Sequence, residues 1–242
     1  MIIFGINAVG EALRAGRVRS LHVGARNDRR IEELLARARE RDVRVQRVDA
    51  VMLDRMAGGG RHQGVIATVP AARARALEEL VNPDAPSLIV VLDGIEDPHN
   101  VGAILRTVDA AGGHGMVRQI RRAAPLGGAA AKASAGALAH VPVADVVNIA
   151  RAIQELKARG LWIVGLEGGA RTPYDEVDLT QPTALVLGSE SRGMRRLVRE
   201  QCDYLVSVPM SGHVDSLNVS VAAGVVLFEA IRQRRHPPRP AR

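Results

Sequence analysis

The sequence predicts an α/β protein, with a small N-terminal α/β domain followed by a larger domain on a parallel sheet. Three observations carry this. Apolar runs of strand length alternate with amphipathic stretches of helix length along the whole chain, which is the pattern of parallel α/β architecture. Charge is unevenly divided: residues 1–75 hold 15 basic and 8 acidic side chains, whereas residues 76–242 hold 18 of each. Between the two parts lie Pro70, Pro83 and Pro86, the punctuation of a linker. The expected divisions are therefore residues 1–70, a linker 71–86, a second domain 87–235 and a disordered tail 236–242.

The elements follow in order. Asn7–Ala15 has helical character, with Asn7 available as its cap. Ser20–Gly24 alternates as a strand. Arg29–Arg41 places Ile31, Leu34, Leu35 and Ala38 at helical spacing. Val43–Val48 is a strand, Met52–Met56 a short helix, and Gly58–Gly64 a flexible basic loop before the strand Val65–Val69. Leu77–Leu80 forms a short helix in the linker. The second domain opens with the strand Leu88–Leu92 and the helix Val101–Ala111. A strand near Gly115–Val117 and a Gly/Ala-rich helical stretch come next. The helix Val146–Arg159, the strands Leu161–Gly165 and Ala184–Leu187, and a short helix at Arg195–Glu200 continue the alternation. The strand Tyr204–Val208 and a helix from Asn218 to Arg232 close it.

Composition excludes several classes. With 242 residues, 47% hydrophobic and 24% charged, the chain has ordinary globular balance. No charge-free apolar run reaches about 18 residues, so no membrane span is expected. The start Met-Ile-Ile-Phe-Gly-Ile-Asn has neither the basic flank nor the cleavage pattern of a secretory signal. The single cysteine, Cys202, cannot form an intrachain disulfide and reads as a small buried residue. His22, His62, His99, His114, His140, His213 and His236 have no i, i+4 pairing, so no metal site is expected. Phe4, Trp162, Tyr174, Tyr204 and Phe228 are too few for a base-stacking sheet. Of the 33 basic residues only Lys132 and Lys157 are lysines. An arginine-rich first third suits bidentate contacts to a polyanion.

Three segments of the second domain carry chemistry. Leu92-Asp-Gly-Ile-Glu-Asp-Pro-His-Asn-Val-Gly-Ala-Ile-Leu-Arg106 takes a hydrophobic strand into a polar loop and a helix. In open α/β sheets ligands sit at this edge. Arg106 follows Ala103, Ile104 and Leu105, so its charge needs a partner, a ligand or solvent. Leu185-Val-Leu-Gly-Ser-Glu-Ser-Arg-Gly-Met194 brackets Glu190 with Gly188 and Gly193, which permit close backbone approach. Val206-Ser-Val-Pro-Met-Ser-Gly-His-Val-Asp-Ser-Leu-Asn-Val-Ser220 ends at a helix for which Ser216 and Asn218 are natural caps. Neither the dinucleotide fingerprint nor a phosphate-loop lysine is present.

Together these segments resemble the SpoU/TrmH branch of the SPOUT RNA methyltransferases. The match comprises Asn100, Gly102 and Arg106 (N-x-G-x-x-x-R), Gly188, Glu190 and Gly193 (G-x-E-x-x-G), and Ser216-Leu-Asn-Val-Ser220. Phe4-Gly-Ile-Asn-Ala-Val-Gly-Glu-Ala-Leu13 and His62-Gln-Gly-Val-Ile-Ala67 resemble the family's RNA-binding domain, so the likeness covers nearly the whole chain. It implies a catalytic domain with a C-terminal trefoil knot. It also implies S-adenosylmethionine held largely by backbone groups at Gly188, Val208 and Leu217, and a cytoplasmic homodimer that needs no metal. The implied reaction is methyl transfer to a ribose 2′-hydroxyl. The implied substrate is a guanosine in large-subunit (23S) ribosomal RNA, gripped by the basic N-terminal domain and active-site arginines. Transfer RNA as the substrate, or a non-catalytic module of ribosome assembly, stand as alternatives.

The site residues implied by the resemblance are Arg106, Asn100, Glu190, Ser216 and Asn218. Two roles are open to Arg106. The family's usual proposal makes it the base, but a guanidinium with a pKa above about 12 is hard to deprotonate. Binding the target phosphate and stabilising alkoxide charge is the other. Asn100 would orient Arg106 or the RNA, Glu190 would hold an arginine, and Ser216 and Asn218 would shape the pocket. One stretch departs from the family. Gln119-Ile-Arg-Arg122 replaces the frequent Pro-Lys-Asp-Arg, after Arg118 where an apolar strand residue is expected. Arg118, Arg121 and Arg122 are candidates for phosphate contact, as is His62.

Overall fold

A computed structural model describes residues 1–26, 28–70, 75–121 and 123–236. The first four residues of the expected linker, Arg122, and the expected disordered tail from 237 onward lie outside the described residues. The chain divides into two compact units. One takes Met1–Arg73, Pro98–Arg106 and Ala124–His140; the other takes Ala74–Asp97, Thr107–Ala123 and Val141–Arg242.

The first unit holds a four-stranded sheet made of β1 (Ile2–Phe4), β2 (Ser20–Val23), β3 (Arg44–Arg47) and β4 (Val65–Thr68), in the order β1-β4-β2-β3. β4 is antiparallel to β1 and β2, and β3 is parallel to β2. The helices are α1 (Ile6–Arg14), α2 (Arg29–Glu40) and α3 (Ala50–Ala57). Helix α2 starts where Asp28 accepts from the amides of Arg30 and Ile31, at 3.1 and 3.2 Å. It buries Ile31, Leu34 and Ala38. Asp49 caps α3 through the Met52 amide, and Gly58 ends it in the left-handed region at φ 58°. Phe4, Leu53, Ala57 and Ile66 make a second small core beneath α3. Asn7 is not the cap of α1, contrary to expectation. The helix begins at Ile6, and Gln63 Oε1 accepts its first amide at 3.0 Å.

The second unit is built on seven parallel strands in the order β7-β6-β5-β10-β8-β11-β9. They are β5 (Leu88–Asp93), β6 (Gly115–Gln119), β7 (Val143–Val146), β8 (Trp162–Leu166), β9 (Thr172–Pro173), β10 (Thr183–Gly188) and β11 (Tyr204–Ser207). Helix α4 (Pro98–Ala110) follows β5, and α5 (Gly128–Ala133), itself part of the first unit, packs on β1. The remaining helices are α6 (Ile149–Ala158), α7 (Arg196–Arg199) and α8 (Val219–Arg235).

The predicted parallel sheet is therefore present, with strands that follow the apolar runs. β5 is buried along its whole length, as a central parallel strand must be. Ile89, Val91, Val117, Ile163, Ala184 and Val186 pack against Ile149, Ile153 and Leu156 of α6. Burying each large side chain contributes roughly 1.5–3 kcal/mol. Leu77 and Leu80, from the stretch expected as linker, join this core.

Several elements differ from expectation. No strand is expected from sequence at β1, β7 or β9, which are only three, four and two residues long. Val146 belongs to a strand instead of opening a helix. Asn148 caps α6 through the Arg151 amide, so the helix starts at Ile149. β6 continues through Arg118 because the guanidinium meets Asp145, its register partner on β7, at 2.7 Å.

Candidate functional site

The parallel strands of the second unit deliver their carboxyl ends to one edge, where a cavity of about 330 Å³ opens. Its walls come from Leu166–Gly168 after β8, Leu187–Glu190 with Gly193 and Met194 after β10, and the stretch from Val208 into α8. Gly188, Val208 and Leu217, the expected cofactor positions, all line it, as do Glu190, Ser216 and Asn218.

The β10 loop owes its shape to its glycines. A Cβ on Gly188 would lie 2.2 Å from the carbonyl carbon of Gly193, so only glycine fits. Ser189 and Gly193 exchange backbone hydrogen bonds of 3.1 and 2.8 Å, and Gly193 adopts φ 63°. Just beyond this turn Met194 is buried in the core.

Asn218 joins the two sides of the cavity. Its Oδ1 accepts from the Ser220 amide at 2.9 Å, capping α8, while its Nδ2 donates to Glu190 Oε1 at 2.7 Å. Helix capping and site construction thus use opposite ends of one amide. Ser216 is not the cap; it lies exposed on the loop before α8.

Asn100 and Arg106 are placed on α4 and are not among the residues lining the cavity. Asn100 is buried and Arg106 exposed. Arg118, a candidate for phosphate contact, pairs through its Nε with Asp145 at 2.7 Å. Both ring nitrogens of His62 are also engaged. Nδ1 accepts from the Gly64 amide and Nε2 lies 3.0 Å from Asp54, so His62 shapes its own loop. Burial pushes the Cys202 thiol up to about 12, which makes it unreactive at neutral pH. Among the described residues no cluster of His, Cys, Asp or Glu could hold a metal, and no helix is long and apolar enough to cross a membrane.

Sequence reasoning passed over one pair. Asp93, the last residue of β5, is fully buried and holds Arg195 beyond the β10 loop. The available signal was a carboxylate closing an otherwise apolar strand.

A parallel sheet with a cavity at its carboxyl edge and a glycine-bracketed loop as its wall defines a ligand-binding α/β enzyme domain. The SpoU rRNA methylase family matches residues 87–228, and the RNA 2′-O-ribose methyltransferase substrate-binding family matches residues 2–74. The chain belongs to the SpoU rRNA methylase family and is an RNA methyltransferase with an RNA-substrate-binding domain. Among curated relatives, the 23S rRNA (guanosine-2′-O-)-methyltransferase RlmB of Pseudomonas syringae pv. tomato is 44% identical and covers 98% of each chain. The enzyme of that name from Ralstonia nicotianae is 44% identical, over 98% of this chain and 97% of its own. Among solved structures, the SpoU methyltransferase AviRb from Streptomyces viridochromogenes, in complex with AdoMet, superposes with a TM-score of 0.83. It is 28% identical over 97% of this chain and 90% of that one. The A. aeolicus TrmH/SpoU tRNA modifying enzyme, 34% identical, covers 66% of this chain and 81% of its own, with a TM-score of 0.56.

Proposed function

We propose that the chain transfers the methyl group of S-adenosylmethionine to the ribose 2′-hydroxyl of a guanosine in 23S ribosomal RNA. The observation that carries the activity is the glycine-walled cavity in which Glu190 and Asn218 meet at 2.7 Å. The target is supported by near-full-length relatives that bear that name. The tRNA enzyme matches a smaller part of the chain, which favours ribosomal over transfer RNA.

The cavity fits the cofactor chemically. Leu166, Leu187, Met194, Val208 and Leu217 offer apolar contact for an adenine, and Gly188 and Gly193 expose backbone groups. Asp215 on the rim supplies negative charge for a cationic ligand. Bound there, S-adenosylmethionine supplies an electrophilic methyl group on a sulfonium. The chain's task is to align the ribose oxygen with that methyl and to help remove the hydroxyl proton. The exposed guanidinium of Arg106 binds the target phosphate and stabilises charge growing on the 2′-oxygen. Asn100 orients Arg106 or the RNA, and Ser216 shapes the pocket.

Residues 1–70 act as the RNA-binding domain and 87–235 as the methyl-transfer domain. Exposed Arg19, Arg30, Arg44, Arg55 and Arg61 give the former its cationic surface. The active form is a homodimer in the cytoplasm, supported by an apolar stripe of Val221, Val225 and Phe228 on the outer face of α8. A C-terminal trefoil knot is supported by the strand order, in which β11 is inserted between β8 and β9.

Labelled S-adenosylmethionine incubated with unmodified ribosomal and transfer RNA, followed by mapping of the modified position, tests the reading. A single 2′-O-methylguanosine in 23S RNA is expected. Label in transfer RNA alone would overturn the substrate, and no label in either would overturn the activity.

A further inference from the structure

We propose that Asp93 and Arg195 form a clamp that sets the wall of the cofactor cavity, making both positioning residues for methyl transfer. The proposal rests on the methyl-donor reading of that cavity. The Asp93 side chain is 0% exposed. A carboxylate so placed is costly unless its oxygens are bonded. Oδ2 accepts the backbone amide of Arg195 at 2.7 Å, and Oδ1 accepts its Nε at 2.6 Å and lies 2.5 Å from Nη2. The Arg195 side chain is itself 53% exposed, so packing does not hold it there. The buried carboxylate draws it in.

The position of the pair gives the clamp its purpose. Asp93 is the register partner of Gly188, where the chain leaves the sheet. The chain then turns through the hairpin closed by Ser189 and Gly193 and comes back to the same aspartate at Arg195. Asp93 therefore holds the loop at both ends, one through the strand ladder and the other through its side chain. Gly188, Ser189, Glu190, Gly193 and Met194 of this loop line the cavity, whereas Asp93 and Arg195 do not. The tip is tied separately, by Glu190 accepting from Asn218. Ordering a loop costs backbone conformational entropy. A loop already ordered spares the ligand that cost, which is preorganisation of the binding wall.

Three variants test this in the full-length protein: Asp93→Asn, Arg195→Ala and Arg195→Lys. Asparagine keeps the size of residue 93 but turns an NH2 toward the guanidinium. Lysine keeps the charge and the backbone amide. Two readouts are used: amide hydrogen exchange of residues 189–194 without ligand, and calorimetric binding of S-adenosylmethionine. Asp93→Asn is expected to speed loop exchange by at least about tenfold while β6 amides stay protected. It is also expected to weaken donor binding about tenfold, raising KM for the donor with kcat at saturation within about threefold. Arg195→Lys is expected to restore binding to within about threefold of wild type, with Arg195→Ala falling below it.

Unchanged loop exchange and donor affinity in Asp93→Asn would overturn the clamp. If that variant fails to fold, the same result in Arg195→Ala, whose lost side chain is half exposed, overturns it equally. Exchange that rises across the whole sheet would mean a merely structural pair and also sink the proposal. Failure of the wild type to bind S-adenosylmethionine would instead defeat the methyl-donor reading, and loop exchange would still decide the clamp.

Discussion

Asn218 caps a helix with its carbonyl and holds Glu190 with its amide, so capping leaves the other end of the side chain for the cavity wall. His62 and Gln63 show the opposite outcome. The basic loop makes His62 a candidate for RNA contact, yet its Nδ1 accepts from Gly64, and the neighbouring Gln63 takes the first amide of α1. Composition places such residues in a loop without revealing what their polar atoms bond. Arg106 is exposed and presents a planar fork suited to a phosphate. Arg106→Ala is expected to lower kcat/KM for methyl transfer by about 100-fold or more, with donor affinity within about twofold. Arg106→Lys, a point charge, should remain at least about tenfold below wild type. Near-full activity in the lysine variant, measured by steady-state kinetics, would remove the guanidinium-specific role.

At the scale of elements, local signals located β5, β6, β8, β10 and β11 of the parallel sheet but neither β7 nor β9. They failed where two elements abut. Val146 reads as the start of the helix because it suits either state, whereas it ends β7 and Asn148 decides the boundary by capping α6. Arg118 looked foreign to a strand until Asp145 came alongside it from β7. Strand starts are also held by side chains. His114 Nδ1 accepts the Leu88 amide at the head of β5 at 3.0 Å, which requires that nitrogen to be unprotonated. Burial, with the nearby Arg234 guanidinium, holds the His114 pKa below its ordinary value. The unfolded chain then takes up the proton first. The stabilisation is intact above about pH 6.5 and is lost as pH falls below it. Thermal denaturation should show Tm declining from about pH 7 to pH 5, and His114→Asn should flatten that decline. An unchanged slope in the variant would show that other groups govern it.

At the scale of the whole molecule, α8 presents more apolar surface than its packing consumes. Ala223, Val226, Leu227 and Ala230 are buried, yet Val221 and Phe228 on the other face are 53% and 51% exposed. A stripe of this kind on a 17-residue helix is suited to a second copy. Light scattering is expected to give a dimer for the wild type. It should give a monomer with little methyl transfer for the double variant Val221→Asp, Phe228→Asp, with far-ultraviolet dichroism retained. A wild-type monomer at micromolar concentration would sink the homodimer.

The amino-acid sequence alone determined the α/β class, the parallel sheet, the three motif segments and the membership of the family. These depend on hydrophobic periodicity, caps and glycine spacing, all of which act within about ten residues. Tertiary structure alone decided which of those residues meet. Glu190 reaches Asn218 across 28 positions and Asp93 reaches Arg195 across 102. An apolar run shows that a strand is buried but not which strands lie beside it. Neighbours and register come from packing between distant segments, and the cavity exists only once β8, β10 and β11 end side by side.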